Sequence, residues 1–322
     1  MEYLKMGLYN FKSKYKHFMN DYIKLMISKG YREYSFYYVY RFDSFLVQNN
    51  YSLDYISKEL IEKWSVQLET EKKNTRNDRV NKVNGFCEYL NSVGVKAYVS
   101  YVRLSVETTT PYVLSKDEIK TLFEVIDEES SNKNSVKHYP FMLPVFFRLL
   151  YTCGLRNNEA CCLQTADVDF EKSLLRILDA KNNKDRLVYM SMDMCYLLQR
   201  YYDKVKKYTA SEWMFPGKRK EIHISKTSID SYFNHFVRIA NIGNGRFHPV
   251  PHSLRHTYVV HRVDSWIQEG KDANKLLIYL SKQLGHSSLS ETYYYYHMLE
   301  TSFNPIKDKT REIYPEVRSY EE

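Results

Sequence analysis

Pro111 is the first of eight prolines in a chain of 322 residues, so the first third of the molecule lacks the residue that most effectively breaks a helix. Through that third the apolar side chains recur at helical intervals. Phe18, Tyr22, Leu25 and Met26 fall at i, i+4, i+7 and i+8, a stripe that stops near Gly30, a fitting residue just past a helix end. Phe36, Tyr40, Phe45 and Leu46 mark a second helix, Ile56 to Leu68 a third, and Val80 to Leu90 a fourth that ends before Gly94. The pattern predicts a small all-α module over residues 1–105.

Three threonines lead into Pro111, and the stretch Val99 to Thr110 shows no helical period, which predicts an extended connection with the linker proper at 106–112. A second domain is expected over 113–298. Ser115 and Glu118 have the spacing of a capping box, starting a helix through Val125. Asp127 to Lys137 is polar and is expected to be a loop. A helix should follow from about Phe141 to Cys153, closed by Gly154, with another from Asn157. The runs Leu174 to Leu178 and Arg186 to Met190 flank Asn- and Lys-rich residues and predict a short β-hairpin. The remainder should be mostly helical, with Ser253 capping one helix and Gly285 interrupting another, and residues 299–322 form a tail. The expected fold is mainly α: a four-helix N-terminal domain and a mixed, mostly helical second domain with a small hairpin or sheet.

Hydrophobic residues at 43% and charged residues at 27% are those of an ordinary globular protein. The longest apolar stretch, Phe141 to Tyr151, contains Pro144 and Arg148 and is far shorter than the ~20 residues a membrane span needs. The N-terminal residues lack the apolar core and cleavage site of a secretion signal, so a cytoplasmic protein with no membrane partner is expected. Five cysteines, odd in number and without a CxxC pair, read as reduced thiols filling the core. Residues 1–105 hold 17 Lys and Arg against 11 Asp and Glu, whereas residues 106–322 hold 30 against 28. The positive surplus therefore sits in the first module, the footprint of a phosphate-backbone binder. The 31 tyrosines follow the Asn-, Lys- and Ile-rich composition of AT-rich genes, so any reactive one must be singled out by its neighbours.

Four stretches of the second domain concentrate reactive side chains: Gly154-Leu155-Arg156-Asn157-Asn158-Glu159; Lys181-Asn182-Asn183-Lys184-Asp185-Arg186; His252-Ser253-Leu254-Arg255-His256; and Leu284-Gly285-His286, followed by Tyr293 to Tyr296 and His297. His252 and His256 have the i, i+4 spacing of a zinc helix, but Ser253 stands where a zinc peptidase needs its glutamate. No acidic cluster suits a two-metal site, and no Gly-rich loop ends in Gly-Lys-Ser/Thr, so no metal or nucleotide cofactor is expected. Metal-free phosphoryl transfer needs fixed cations, a nucleophile and an acid for the leaving oxygen. Arginine forks a phosphate and keeps its charge. A tyrosine phenol, with pKa about 10, is both a competent nucleophile and a competent leaving group. Lysine or histidine can protonate the departing hydroxyl.

In this order and at these separations the motifs resemble the tyrosine site-specific recombinases, also called phage integrases. The resemblance covers most of the chain: the helical module resembles the core-binding domain and residues from about 112 to 298 the catalytic domain. It implies that Arg156 and Arg255 are the catalytic arginines, Lys181 the hairpin general acid, His252 the first residue of the HxxR pair, and His286 the histidine after Leu-Gly. Glu159 matches the acidic residue that steadies the first arginine's helix. The family places its nucleophile nine residues beyond the Leu-Gly-His histidine and two before another histidine, which selects Tyr295. Successive helix residues point about 100° apart, so at most one of Tyr293 to Tyr296 can face the phosphate, and the others are expected to pack. Asn182 or Asn183 replaces the usual hairpin glycine, and His256 to His261 is bulkier than the common version; His256 and His261 are expected in core or supporting positions.

The resemblance further implies a clamp on double-stranded DNA. Arg41, Lys72, Lys73, Arg76, Arg79 and Lys82 are candidate backbone or groove contacts, and Lys184 and Arg186 are expected as solvated hairpin charges that can touch DNA. It implies the simple two-domain type without an arm-binding domain, acting at recombination sites as a homotetramer or pair of dimers, with the tail on a neighbouring protomer and an accessory DNA-bending or directionality factor. Strand exchange through a 3′-phosphotyrosine and a four-way junction is the expected activity. A type IB topoisomerase and a catalytically silent DNA-binding or junction-holding protein are the alternatives.

Overall fold

A computed structural model describes residues 10–31, 33–105, 110–130, 136–178, 185–243, 247–286 and 288–296, without the side chains of 33, 34 and 296. The chain divides into two compact units, Met1–Thr109 and Thr110–Glu322.

The first unit is built on the predicted helices: α1 (Lys16–Ser28), α2 (Tyr37–Gln48), α3 (Lys58–Ser65) and α4 (Lys73–Ser92). Their apolar stripes meet in one core around Met19, Phe42, Leu46, Ile61 and Phe86, all fully buried. Each such side chain contributes roughly 1.5–3 kcal/mol by leaving water. α3 is shorter than its apolar run because Ser57 caps it, accepting from the Leu60 N–H at 3.2 Å, while Ile56 is held in a bridge to Ala97.

Two sequence expectations for this unit are corrected. Arg76 and Arg79 are not surface contacts for DNA; both are buried. Arg76 donates from Nε to the Ser65 carbonyl at 2.8 Å and from Nη1 to the Val102 carbonyl at 3.0 Å. Arg79 lies over the Trp64 ring, bonds the Trp64 and Val66 carbonyls, and grips both oxygens of Glu71 at 2.8 and 2.7 Å. Charge alone did not reveal that these arginines serve the backbone carbonyls of Ser65, Val102, Trp64 and Val66. The extended segment after α4 is likewise no free connector at its start. Asn84 exchanges two hydrogen bonds with Ser100, at 2.6 and 3.0 Å, and Asn77 two with Leu104, at 2.8 and 3.1 Å, tying residues 100–104 to α4. Residues 106–109 of the expected linker lie outside the described residues.

The second unit opens with α5 (Lys116–Ser130), whose start has the predicted reciprocal cap: Glu118 accepts from the Ser115 N–H at 2.7 Å and Ser115 Oγ from the Glu118 N–H at 3.1 Å. α5 runs past Asp127, where a loop was expected, because Arg148 grips both Asp127 oxygens at 2.7 and 2.8 Å and Ile126 is buried. α6 (Tyr139–Cys153) is the central helix, with Phe146, Phe147, Leu149 and Leu150 fully buried. After α7 (Asn157–Cys161) come β1 (Val168–Asp169), β2 (Leu174–Ile177) and β3 (Arg186–Tyr189). They form an antiparallel sheet in that order, with Val168 opposite Leu175 and Leu175 opposite Val188. The predicted hairpin is present; β1 went unpredicted because two residues carry no alternation.

α8 (Met192–Val205), α9 (Lys226–Ile239), α10 (Pro251–Gln268), α11 (Ala273–Leu284) and α12 (Ser290–Tyr296) complete the unit. Ser253 does not cap α10 from outside. It sits in the first turn, where its Oγ accepts from the Val250 N–H at 3.0 Å. Cys87, Cys153, Cys161 and Cys195 are buried as expected, whereas Cys162 is half-buried with its Sγ 3.6 Å from His223 Nε2. Among the described residues no helix is long and apolar enough to cross a membrane.

Candidate active site

The site is assembled where three chain turns meet. α6 ends at Gly154 with φ +63°, and a Cβ there would lie 2.6 Å from the Tyr258 ring and 2.9 Å from a Leu284 methyl. Only glycine permits both the left-handed turn and this approach of α10 and α11. The chain then enters α7 through Arg156, whose backbone N–H donates to Glu159 Oε2 at 2.8 Å while its Nη1 donates to Oε1 at 2.8 Å and its Nη2 to the Gly285 carbonyl at 3.1 Å. From β3, Arg186 donates to the two oxygens of the same carboxylate at 2.9 and 2.7 Å, and from Nε to the Gln283 carbonyl at 2.7 Å. Burial alone would raise the Glu159 pKa, but the two arginines and the Arg156 N–H outweigh it and pull it down to about 2. Arg186 is therefore not the solvated hairpin charge the sequence suggested. Its side chain is 7% exposed, and it holds the glutamate that holds Arg156. Position after a polar loop suggested exposure; that the Glu159 carboxylate in α7 takes a second arginine could not be seen in a linear reading.

Arg255 comes from α10 and is 2% exposed. Its Nη1 donates to the Gly154 carbonyl at 2.7 Å and its Nη2 to the Leu284 carbonyl at 2.8 Å. These carbonyls terminate α6 and α11, where helix dipoles present partial negative charge. Burial and the neighbouring Arg156 push its pKa down to about 9, which leaves it charged at neutral pH.

One turn before Arg255 on the same helix lies His252, and the next residue is His256; the two rings meet edge to face with centroids 4.5 Å apart. α12 brings Tyr295 against them, with the phenol oxygen 2.6 Å from His256 Nδ1. His286 also lies against the phenol ring, nearly parallel to it, at 13° and 6.4 Å between centroids. It follows Gly285, which closes α11 at φ +66°, and its Nδ1 pairs with Thr292 Oγ1 at 2.7 Å. All three imidazoles are held neutral, with pKa values near 4. Surrounding protein is the first cause for each; Arg255 comes next for His252 and His286, and His252 then Arg255 for His256. Burial likewise raises the Tyr295 phenol, against the opposing pull of Arg255. Tyr295 is 7% exposed, whereas Tyr294 is 46% exposed and Tyr293 packs beside the core.

Arg156, His252, Arg255, His286 and Tyr295 are thus brought together, and His256, which sequence placed in a supporting role, touches the phenol directly. The i, i+4 interval from His252 was the available signal. Lys181 and Lys184 lie outside the described residues. Beside the cluster, Arg156, Asn158, Lys226, His248 and His252 line an open cleft of about 600 Å³. Two fixed guanidinium groups, a phenol and three neutral imidazoles around one point can hold the oxygens of a phosphodiester and attack its phosphorus without a metal. Among the described residues no group of three His, Cys, Asp or Glu is placed to hold a metal ion.

Comparison with known proteins agrees with this chemistry. An integrase/recombinase-type protein of Sinorhizobium fredii is 30% identical over 193 residues, 58% of this chain and 60% of that relative. A tyrosine recombinase of Thermosipho africanus is 26% identical over 251 residues, 77% of this chain and 80% of that protein. In three dimensions the chain is similar to the Tn1549 transposon integrase in complex with transposon right end DNA, with a TM-score of 0.65 at 16% identity over 92% of this chain and 98% of that one. Residues 112–301 match the phage integrase family model. That span holds both arginines, the histidines and Tyr295, and with it the chain belongs to the phage integrase family, the tyrosine recombinases that break and rejoin DNA strands.

Proposed function

We propose that this chain is a site-specific recombinase that integrates, excises or resolves DNA segments at double-stranded recombination sites. Arg156 and Arg255 hold the non-bridging oxygens of the scissile phosphate, and Tyr295 attacks phosphorus to give a 3′-phosphotyrosine. Lys181 protonates the departing 5′-oxygen, while His252 and His286 offer N–H groups to the phosphate. The tyrosyl ester conserves the bond energy, so strand exchange through a four-way junction needs no nucleotide. The helical unit over 1–105 grips the duplex with Arg41, Lys72, Lys73 and Lys82, and residues 113–298 catalyse. The protein works in the cytoplasm as a homotetramer or pair of dimers, with an accessory DNA-bending or directionality factor.

What supports this is the convergence of Tyr295 with both arginines and the histidines at one point. The test is covalent capture from a library of nicked duplexes, in which the cut strand end diffuses away and traps the enzyme on DNA. Denaturation-resistant adducts are expected with the wild type, none with Tyr295→Phe, and at least ~10²-fold fewer with Arg156→Ala or Arg255→Ala. Joining of two separate captured duplexes marks a recombinase. Relaxation of supercoils without joining assigns the protein to the topoisomerase alternative, and the lack of any wild-type adduct to a silent DNA-binding protein.

A further inference from the structure

We infer that His256 is the base that takes the phenolic proton of Tyr295 during strand cleavage, an assignment that rests on the recombinase function proposed above. The contact is direct: Tyr295 Oη and His256 Nδ1 are 2.6 Å apart, and the phenol has no other hydrogen-bond partner among the described residues. His286, which stacks near the ring, has its Nδ1 engaged by Thr292. His252 reaches His256 edge to face and makes no hydrogen bond to Tyr295 among the described residues.

The surroundings suit the assignment. A base must be unprotonated at rest, and burial first, then His252 and Arg255, keeps His256 so. His252 and Arg255 face it from its own helix, Tyr295 from α12, and Arg156 and His286 lie beyond Arg255 and Tyr295. Glu291 acts from α12 on Tyr295 and His286, Lys226 acts from α9 on His252, and α6 directs Tyr151 to His261 instead. A buried phenol needs such help: with an ordinary pKa of about 10, roughly one molecule in 10³ is phenolate at pH 7, and burial lowers that share further.

In the forward step the Tyr295 O–H bond breaks, its proton passes to His256 Nδ1, and Oη forms a bond to phosphorus. The bond from phosphorus to the 5′-oxygen breaks, and that oxygen takes a proton from Lys181. Resealing reverses each transfer: the 5′-hydroxyl attacks phosphorus, and Oη leaves with the proton returned from His256.

The experiment is single-turnover cleavage of a nicked duplex recovered by covalent capture, at saturating protein, between pH 7 and 8.5, for wild type, His256→Asn and His256→Ala. Asn can keep a hydrogen bond to the phenol but cannot accept its proton. Wild-type cleavage is expected to vary less than about twofold over this range. Both variants should bind the duplex as wild type does, cleave about 10²-fold more slowly at pH 7 and recover about tenfold per pH unit, as solvent supplies the phenolate. His256→Asn cleaving within threefold of wild type, or slowed variants with a flat pH profile, would overturn the assignment. Should the variants fail to bind, the wild-type profile decides: a flat profile supports a built-in base, and a tenfold rise per unit overturns it. A wild type that forms no adduct defeats the recombinase function instead, which is a separate result.

Discussion

Glu159 shows how a single side chain governs the site by holding its arginines. Its carboxylate accepts from both Arg156 and Arg186, so both guanidinium groups are spent partly on it. Glu159→Gln removes the negative charge from the buried Arg186 guanidinium and the half-buried Arg156 one and should cost about 3–5 kcal/mol of unfolding free energy, read from urea denaturation. Its pKa is depressed to about 2. The stabilisation it gives is therefore complete above the unfolded carboxylate value and is lost as pH falls through about 2, a span worth about 3 kcal/mol. The histidines act at milder acidity. His256 and His286 stay neutral in the fold down to about pH 4, while unfolded histidine gains its proton near 6.5. The unfolded state thus binds more protons between those values, and stability falls on acidification. Each ring should remove up to about 2 kcal/mol between pH 7 and pH 5, seen as a lower urea midpoint at pH 5. The sequence announced these residues through motif spacing, yet not the tie between Glu159 and Arg186, since a pairing 27 residues apart leaves no periodic trace.

Helix ends matter more here than helix bodies. The amphipathic stripes of α1 to α4, the capping box of α5 and the glycine stop of α6 were legible because each is a local pattern with a local cause. What escaped is set by distant partners: the last turn of α5, prolonged by Arg148, and β1, too short to alternate. Gly154 makes the point testable. Gly154→Ala imposes a left-handed residue with a Cβ inside contact distance of Tyr258 and Leu284, and should destabilise the unit by at least ~2 kcal/mol. Because the Gly154 carbonyl holds Arg255, cleavage should fall more steeply than stability. Ser115→Ala, which removes an exposed cap, should cost only about 1 kcal/mol and leave cleavage unchanged.

Across the whole molecule, charge divides into two populations that the sequence could not separate. Arg41 and Lys72 are exposed, while Arg76 and Arg79 are consumed internally. If the first unit binds duplex as proposed, Arg41→Gln should lower the salt slope of DNA affinity by about 0.9. Arg79→Gln should leave that slope alone and instead cost about 3–5 kcal/mol of stability, since it strands Glu71. Binding isotherms from 50 to 200 mM salt distinguish the two. The tether of Arg255 has a different consequence, one of motion. A single guanidinium is bonded to the closing carbonyls of α6 and of α11, so neither helix end can fray without releasing the other. Amide hydrogens around Gly154 and Gly285, far apart in the chain, should exchange with deuterium as one cooperative unit in the native protein and at separate, faster rates once Arg255 is replaced by lysine.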